Sequence, residues 1–154
     1  MQREKGERLV VFLAAPPATG KSTLAAFLAG LSQKLSCMPV QAVGLDGFHY
    51  HQDYILTHSV TFQDGRTLPM KQLKGSPETY DVVHFQEKLE ALRHSDPLWP
   101  VYDRRFHDVI EDQLPVTAPI VLMKAIGFCF RRDYGVSLPD RRTIPYSSKR
   151  RSGR

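Results

Sequence analysis

Cysteine is scarce: the 154 residues hold only Cys37 and Cys129. They lie far apart and outside any C-x-x-C pattern, which argues against a disulfide framework or a zinc knuckle and leaves two reduced, buried thiols as the expectation. Long hydrophobic runs are also missing, and no stretch approaches the ~18 apolar residues that a membrane helix needs. The charged start from Met1 to Arg8 precedes only a brief apolar stretch that Pro16 interrupts, so no signal segment is indicated. The expected location is the cytoplasm, with no membrane partner. Acidic residues are scarce in one region alone. Residues 1–123 carry 12 Lys/Arg against 14 Asp/Glu, whereas residues 124–154 carry 9 against 2, so the net charge of +5 belongs to the tail. A basic stripe can mark a nucleic-acid surface. This one has no periodic apolar face and no regularly spaced aromatics, which points to a disordered segment without a nucleic-acid partner.

What is present is concentrated near the start. The apolar run Leu9-Val10-Val11-Phe12-Leu13-Ala14 leads into Ala15-Pro16-Pro17-Ala18-Thr19-Gly20-Lys21-Ser22-Thr23. A buried strand that ends in a small-residue turn and reopens as a helix aims backbone N–H groups into one concavity, where they and the helix dipole hold phosphate oxygens. Gly20 lets the chain pass close to the phosphates, Lys21 reaches the β and γ oxygens of a nucleoside triphosphate such as ATP, and the Ser22 hydroxyl suits a Mg²⁺ shell. Thr23 packs or caps. The pattern G-x-x-x-x-G-K-[ST] is incomplete, because Ala15 stands where its first glycine belongs, and alanine tolerates positive φ less well. Downstream, Leu24, Phe27, Leu28, Leu31 and Leu35 recur at helical spacing and are expected in the core. There is no N-K-x-D, D-x-x-G or L-S-G-G-Q segment, so a GTPase or a transporter ATPase lacks support.

The rest alternates. Pro39 to Leu45 predicts a second strand that ends at Asp46-Gly47-Phe48-His49-Tyr50-His51, and the carboxyl ends of parallel strands are where α/β folds bind ligands. Residues 52–80, rich in Gly, Pro, Thr and Asp, predict a long functional loop. Val82, Phe85, Leu89 and Leu92 predict a helix closing near Ser95-Asp96-Pro97. A polar cluster, Trp99-Pro100-Val101-Tyr102-Asp103-Arg104-Arg105, follows, and Ala118 to Met123 begins a third buried strand. Alternating strands and helices predict an α/β fold with a parallel sheet. His49, His51 and Asp53 lack the spacing of a recognisable metal site and suit a ligand loop better.

Taken together, Ala15 to Thr23, Leu45-Asp46-Gly47-Phe48-His49, Lys74-Gly75-Ser76-Pro77-Glu78-Thr79-Tyr80-Asp81 and Pro100-Val101-Tyr102-Asp103-Arg104 resemble the phosphoribulokinase, uridine kinase and pantothenate kinase group of P-loop kinases. The likeness is strongest to a bacterial branch of nucleoside/nucleotide kinase-like proteins, some provisionally linked to fructose transport. It covers roughly residues 9–123. It implies a three-layer P-loop NTPase fold, ATP and Mg²⁺ as cofactors, and transfer of a γ-phosphoryl group to a hydroxyl of a nucleoside, pantothenate-like or sugar acceptor. It also implies that Asp46 takes the proton from that hydroxyl, with Lys21 on the phosphates. By the same likeness His49, Lys74, Glu78, Tyr102, Asp103 and Arg104 fall at or near the acceptor, although an arginine after an aspartate is commonly only solvated. The rival readings are a P-loop NTPase that hydrolyses, or a non-catalytic nucleotide-binding protein. A homodimer stays open.

The resemblance then breaks. In that group the third strand runs into a segment like Glu-Gly-Asn-Trp-Leu-Leu-Leu, whose glutamate contributes to the Mg²⁺ and acceptor site. Here the chain reads Met123-Lys124-Ala125-Ile126-Gly127-Phe128-Cys129-Phe130. Back-translated and shifted by two bases, Met-Lys forces Glu and Phe-Cys forces Leu, and the codons between permit Gly, Asn, Trp and Leu. The expectation is an N-terminal portion of a P-loop kinase domain at 1–123 and an out-of-frame, unstructured basic tail at 124–154. A sheet lacking the later strands would expose an unpaired apolar edge.

Overall fold

The computed structural model describes residues 8–125. Three strands form the central sheet: β1 (Leu9–Ala14), β2 (Val40–Gly44) and, last in sequence, β7 (Ile120–Ala125). Their order is β1-β7-β2 and both pairings are parallel, so the last strand enters between the first two. The central strand is the most deeply covered, with Val121 and Met123 fully buried, as its unbroken apolar run requires. The chain is therefore an α/β fold built on a parallel sheet. The tail from residue 126 lies outside the described residues, and with it Cys129 and all of the segment expected to be out of frame except Lys124 and Ala125, which close β7.

One face of the sheet, carrying Val10, Phe12, Val43, Val121, Met123 and Ala125, packs on Phe48, Phe85, Leu89, Leu92 and Trp99. Phe85, Leu89 and Leu92 come from α3 (Val82–His94) and are buried, as their spacing predicts. Asp81 caps that helix by accepting from the His84 N–H at 2.9 Å. Trp99 lies on β5 (Leu98–Asp103), and its indole N–H donates to the Gly44 carbonyl at 2.9 Å, which ties β5 to the end of β2. Phe48 meets Phe85 and Trp99 edge to face, with ring centroids 5.1 and 4.9 Å apart.

The other face meets α1 (Lys21–Lys34), and here the expected core is corrected. The helix buries small residues, Ala25 and Ser32, while Leu24 is 46% exposed and Phe27 and Leu35 are each 62% exposed; Leu28 and Leu31 are also part-exposed. The Ser32 hydroxyl accepts from the Val40 N–H at 3.1 Å and donates to the Ala29 carbonyl at 2.7 Å, closing the helix onto β2. The physical reason is the width of the sheet. Among the described residues β1 is at the edge and three strands cover only one flank of the helix, and Leu28 and Leu31 border a groove of about 300 Å³ with Val11, Val40, Ile120 and Leu122. Leu9 and Val11 on β1 are likewise exposed. Cys37, in the turn after α1, is exposed and free rather than buried.

Residues 52–80 are more ordered than a loop. They form α2 (Gln52–Thr57), a small antiparallel pair of β3 (Ser59–Thr61) and β4 (Thr67–Pro69), and 3₁₀ turns at Met70–Leu73 and Pro77–Thr79. Strands of three residues are too short to show a period. The strand β6 (Asp108–Pro115) was also not anticipated; it pairs antiparallel with β5 through a turn that puts His107 at φ 54°.

Candidate functional site

The loop expected to hold phosphate fills the gap between β1 and α1. Gly20 caps the helix in the left-handed region at φ 84°, and its carbonyl accepts the first helical bond, from Leu24, at 2.9 Å. The other strained residue is Ala18, at φ 61°, and not Ala15. The missing first glycine therefore costs this loop no backbone strain at Ala15. Among the described residues, the N–H groups of Ala18, Thr19, Gly20, Lys21, Ser22 and Thr23 donate no hydrogen bond within the protein. They are a run of free donors at a helix N-terminus, as an anion site requires. The Lys21 ammonium folds back onto the Ala15 and Pro16 carbonyls, each at 2.6 Å, and the Thr19 hydroxyl donates to the Pro16 carbonyl at 2.8 Å. Pro16 and Pro17 stiffen the turn around which these donors converge, and Ser22 and Thr23 are exposed at its mouth.

The ligands a metal ion would meet here differ from the usual P-loop set. In P-loop NTPases Mg²⁺ is held by the Ser/Thr of the loop and by an acidic residue from a neighbouring strand. Ser22 supplies the first ligand. The neighbouring strand is β7, and after the apolar residues Ile120, Val121, Leu122 and Met123 it presents Lys124. Among the described residues no cluster of three or more His, Cys, Asp or Glu side chains is arranged for a metal.

Asp46 stands at the same end of the sheet. The register sets Ala14 level with Ala125 and Gly44 level with Lys124, so β1 and β2 finish together, one on each side of β7. Two strand spacings separate them, roughly 10 Å. Asp46 opens a 3₁₀ turn (Asp46–Phe48) and is exposed, between buried Leu45 and buried Gly47 and Phe48. Gly47 is required there because a Cβ would sit 2.1 Å from the Pro100 carbonyl oxygen. The turn is thus clamped against β5, and the Asp46 carboxylate points out of a rigid base with no ion pair among the described residues.

Around it the structure assembles part of the predicted acceptor set. The His49 ring lies 2.9 Å, through Nδ1, from the Asp46 carbonyl, and is tilted against Tyr80 and Tyr102 with centroids 3.8 and 5.5 Å away. Burial lowers its pKa from the ordinary histidine value; the Asp46 carbonyl and charge oppose that, and the Lys74 charge reinforces it. Lys74 donates to the Gln52 side-chain oxygen at 3.0 Å and lies 5.6 Å from the Tyr102 ring centroid. Asp46, His49, Lys74 and Tyr102 therefore meet. Glu78, Asp103 and Arg104 are not brought into that contact set. Glu78 accepts from the Ser76 hydroxyl at 2.6 Å. Asp103 is bound by Arg105 at 2.8 Å, and those hydrogen bonds hold its pKa down to about 2. Arg104 is exposed. His51 parts from His49 and faces β6, 3.3 Å from Asp108 and 3.7 Å from Glu111. Sequence reasoning missed Gln52, which positions Lys74 from 22 residues away. It also missed the pairing of Gly47 with Pro100. A glycine directly after Asp46 was the one signal available for the latter.

No family model matches the chain. Over 118 residues it is 42% identical to the uncharacterized protein YggC of Escherichia coli (strain K12), a match taking in 76% of this chain and 46% of that protein. Among solved structures, a protein provisionally described as a fructose transport system kinase, from Silicibacter sp. TM1040, is similar with a TM-score of 0.63 at 27% identity, over 83% of this chain and 58% of the other. A protein described as a candidate uridine kinase, from Bacillus stearothermophilus, gives 0.61 at 17% identity, over 84% and 66%. The chain spans about half the length of the curated relative it matches. Its α/β fold, with a parallel sheet, is the fold of these kinase structures.

Proposed function

We propose that the chain is the nucleotide-binding and acceptor-binding portion of a P-loop kinase that passes the γ-phosphoryl group of ATP to a hydroxyl on a small molecule. The observation that carries this reading is the common finish of β1 and β2, which sets the free N–H groups of residues 18–23 and the unpaired Asp46 carboxylate at one end of the sheet. The loop and Lys21 hold the phosphates, and Asp46 accepts the proton that the attacking hydroxyl loses as its oxygen bonds to phosphorus. His49, Lys74 and Tyr102 bound the acceptor. The kinase names of the two structural neighbours support phosphoryl transfer as the reaction class.

In this chain we expect binding to outlast catalysis. Lys124 denies the metal a carboxylate, and the exposed β1 edge and α1 face favour aggregation. The second reading, a P-loop protein that binds nucleotide without turning it over, rests on that same lysine. Isothermal titration with ATP, together with ³¹P NMR of mixtures containing uridine, pantothenate, fructose or a pentose phosphate, tests both. Saturable ATP binding that Lys21→Ala abolishes is expected. A phosphorylated acceptor that Asp46→Asn no longer yields establishes the kinase. Equal ATP binding by Lys21→Ala overturns the reading. We further propose that the segment from about residue 123 is out of frame. Sequencing the gene across those codons tests it, and the idea fails if no single-base change restores an open frame resembling the kinases.

A further inference from the structure

Lys124 occupies a particular place in the sheet. Along β7, Ile120 and Leu122 line the α1 side with Val11, Leu28 and Leu31. The two-residue period of a strand puts Lys124 on the same side, one step closer to the phosphate loop. Its cross-strand neighbours are Leu13, the second-last residue of β1, and Gly44, the last of β2. Gly44 has no side chain, and the lysine Cε runs 3.8 Å from where a Cβ would stand. The stem of Lys124 thus runs alongside Gly44, at the end of β2. Among the described residues Lys124 forms no ion pair, and its side chain makes no hydrogen bond.

A half-buried, unpaired cation here is electrostatically awkward. The same end of the sheet holds the positive end of α1, the free N–H groups of the loop and Lys21. Three positive features repel one another and stabilise an anion placed among them; the carboxylate at that end is Asp46, just past β2. A divalent cation meets the opposite situation, since the strand that should bring it a carboxylate brings it an ammonium.

We propose that Lys124 takes the place of the metal, so that its ammonium holds phosphate oxygens of the bound nucleotide and the chain binds ATP without a divalent cation. The inference rests on the nucleotide-binding reading above and adds to it the cation on which binding depends. A single positive charge can hold a polyphosphate by charge-assisted hydrogen bonds. It supplies one unit of positive charge where a divalent ion supplies two, so it supports binding more than transfer.

The test is titration of the full chain with ATP in EDTA and again with Mg²⁺ at fixed ionic strength. Affinities within about threefold of each other are expected. Lys124→Glu should weaken ATP binding in EDTA by about tenfold or more and restore a requirement for Mg²⁺. Lys124→Gln, which removes the charge and keeps a polar stem, should lose binding in EDTA without gaining that requirement, which separates a charge effect from misfolding. The proposal is overturned if the parent chain needs Mg²⁺ to bind ATP, or if either variant binds metal-free ATP as the parent does. Absence of ATP binding under both conditions overturns the nucleotide reading itself, a different outcome from metal-dependent binding.

Discussion

Replacing Gly47 by alanine should displace the turn that carries Asp46. The added Cβ would stand 2.1 Å from the Pro100 oxygen, 2.5 Å from its carbonyl carbon and 3.0 Å from the Val101 nitrogen. All three are backbone atoms, so no rotamer change relieves the contact. Ordinary van der Waals contact begins near 3.4 Å, and the turn or the strand must therefore yield by roughly an ångström. Strand β5 is held by fully buried Trp99 and its bond to Gly44, which leaves the 3₁₀ turn as the part that moves. Overpacking of a closed site costs about 1–3 kcal/mol, and with backbone on both sides the upper half of that range applies. For a domain of this size the loss is a fall in Tm of roughly 5–15 °C. Calorimetry of Gly47→Ala beside Gly30→Ala gives the measurement an internal reference. Nothing lies within 4 Å of a Cβ at Gly30, which is inside α1, so alanine there should stabilise by about 0.5–1 kcal/mol. If Gly47→Ala melts within a degree or two of the parent, the clamp of β5 on Asp46 is not as described.

Removing the indole donor tests the other half of that clamp: Trp99→Phe leaves the Gly44 carbonyl without its partner and a void beside Phe48, and should cost about 2–4 kcal/mol by chemical denaturation. His49 makes a pH prediction. Its pKa is lowered in the fold, so the folded state prefers the neutral ring; stability is full above the ordinary histidine value of 6.5 and falls as the pH drops below it, when the unfolded chain takes up the proton first. His49→Asn should flatten the decline in Tm between pH 7 and pH 5, and an unchanged slope would count against the burial of that ring. On α1, Phe27→Lys should change stability by no more than about 0.5 kcal/mol and raise solubility, while Ala25→Leu should destabilise by about 1–3 kcal/mol, because only the latter faces the sheet. The reverse order would restore the apolar stripe as core.

What the sequence discloses and what it hides divides along chain separation. The loop proposed to hold phosphate is a local device: its donors, its lysine and its left-handed glycine fall within nine consecutive residues, so the pattern carries the geometry apart from the assignment of strain to Ala18. The turn at Asp46 is local too, but the reason its glycine matters is Pro100, on a strand fifty-three residues away. Helix α1 shows a subtler limit. Its period correctly groups Leu24, Phe27, Leu28, Leu31 and Leu35, yet a period states which residues share a face and not whether another element covers it; that depends on how many strands flank β1. Lys124 shows the same limit in reverse. By composition it opens a basic tail, whereas by register it is the second-last residue of the central strand, paired with Leu13 and Gly44. A charge there acts on whatever the phosphate loop holds, so the residue at which the composition shifts is also the residue on which the affinity for a nucleotide and its metal should turn.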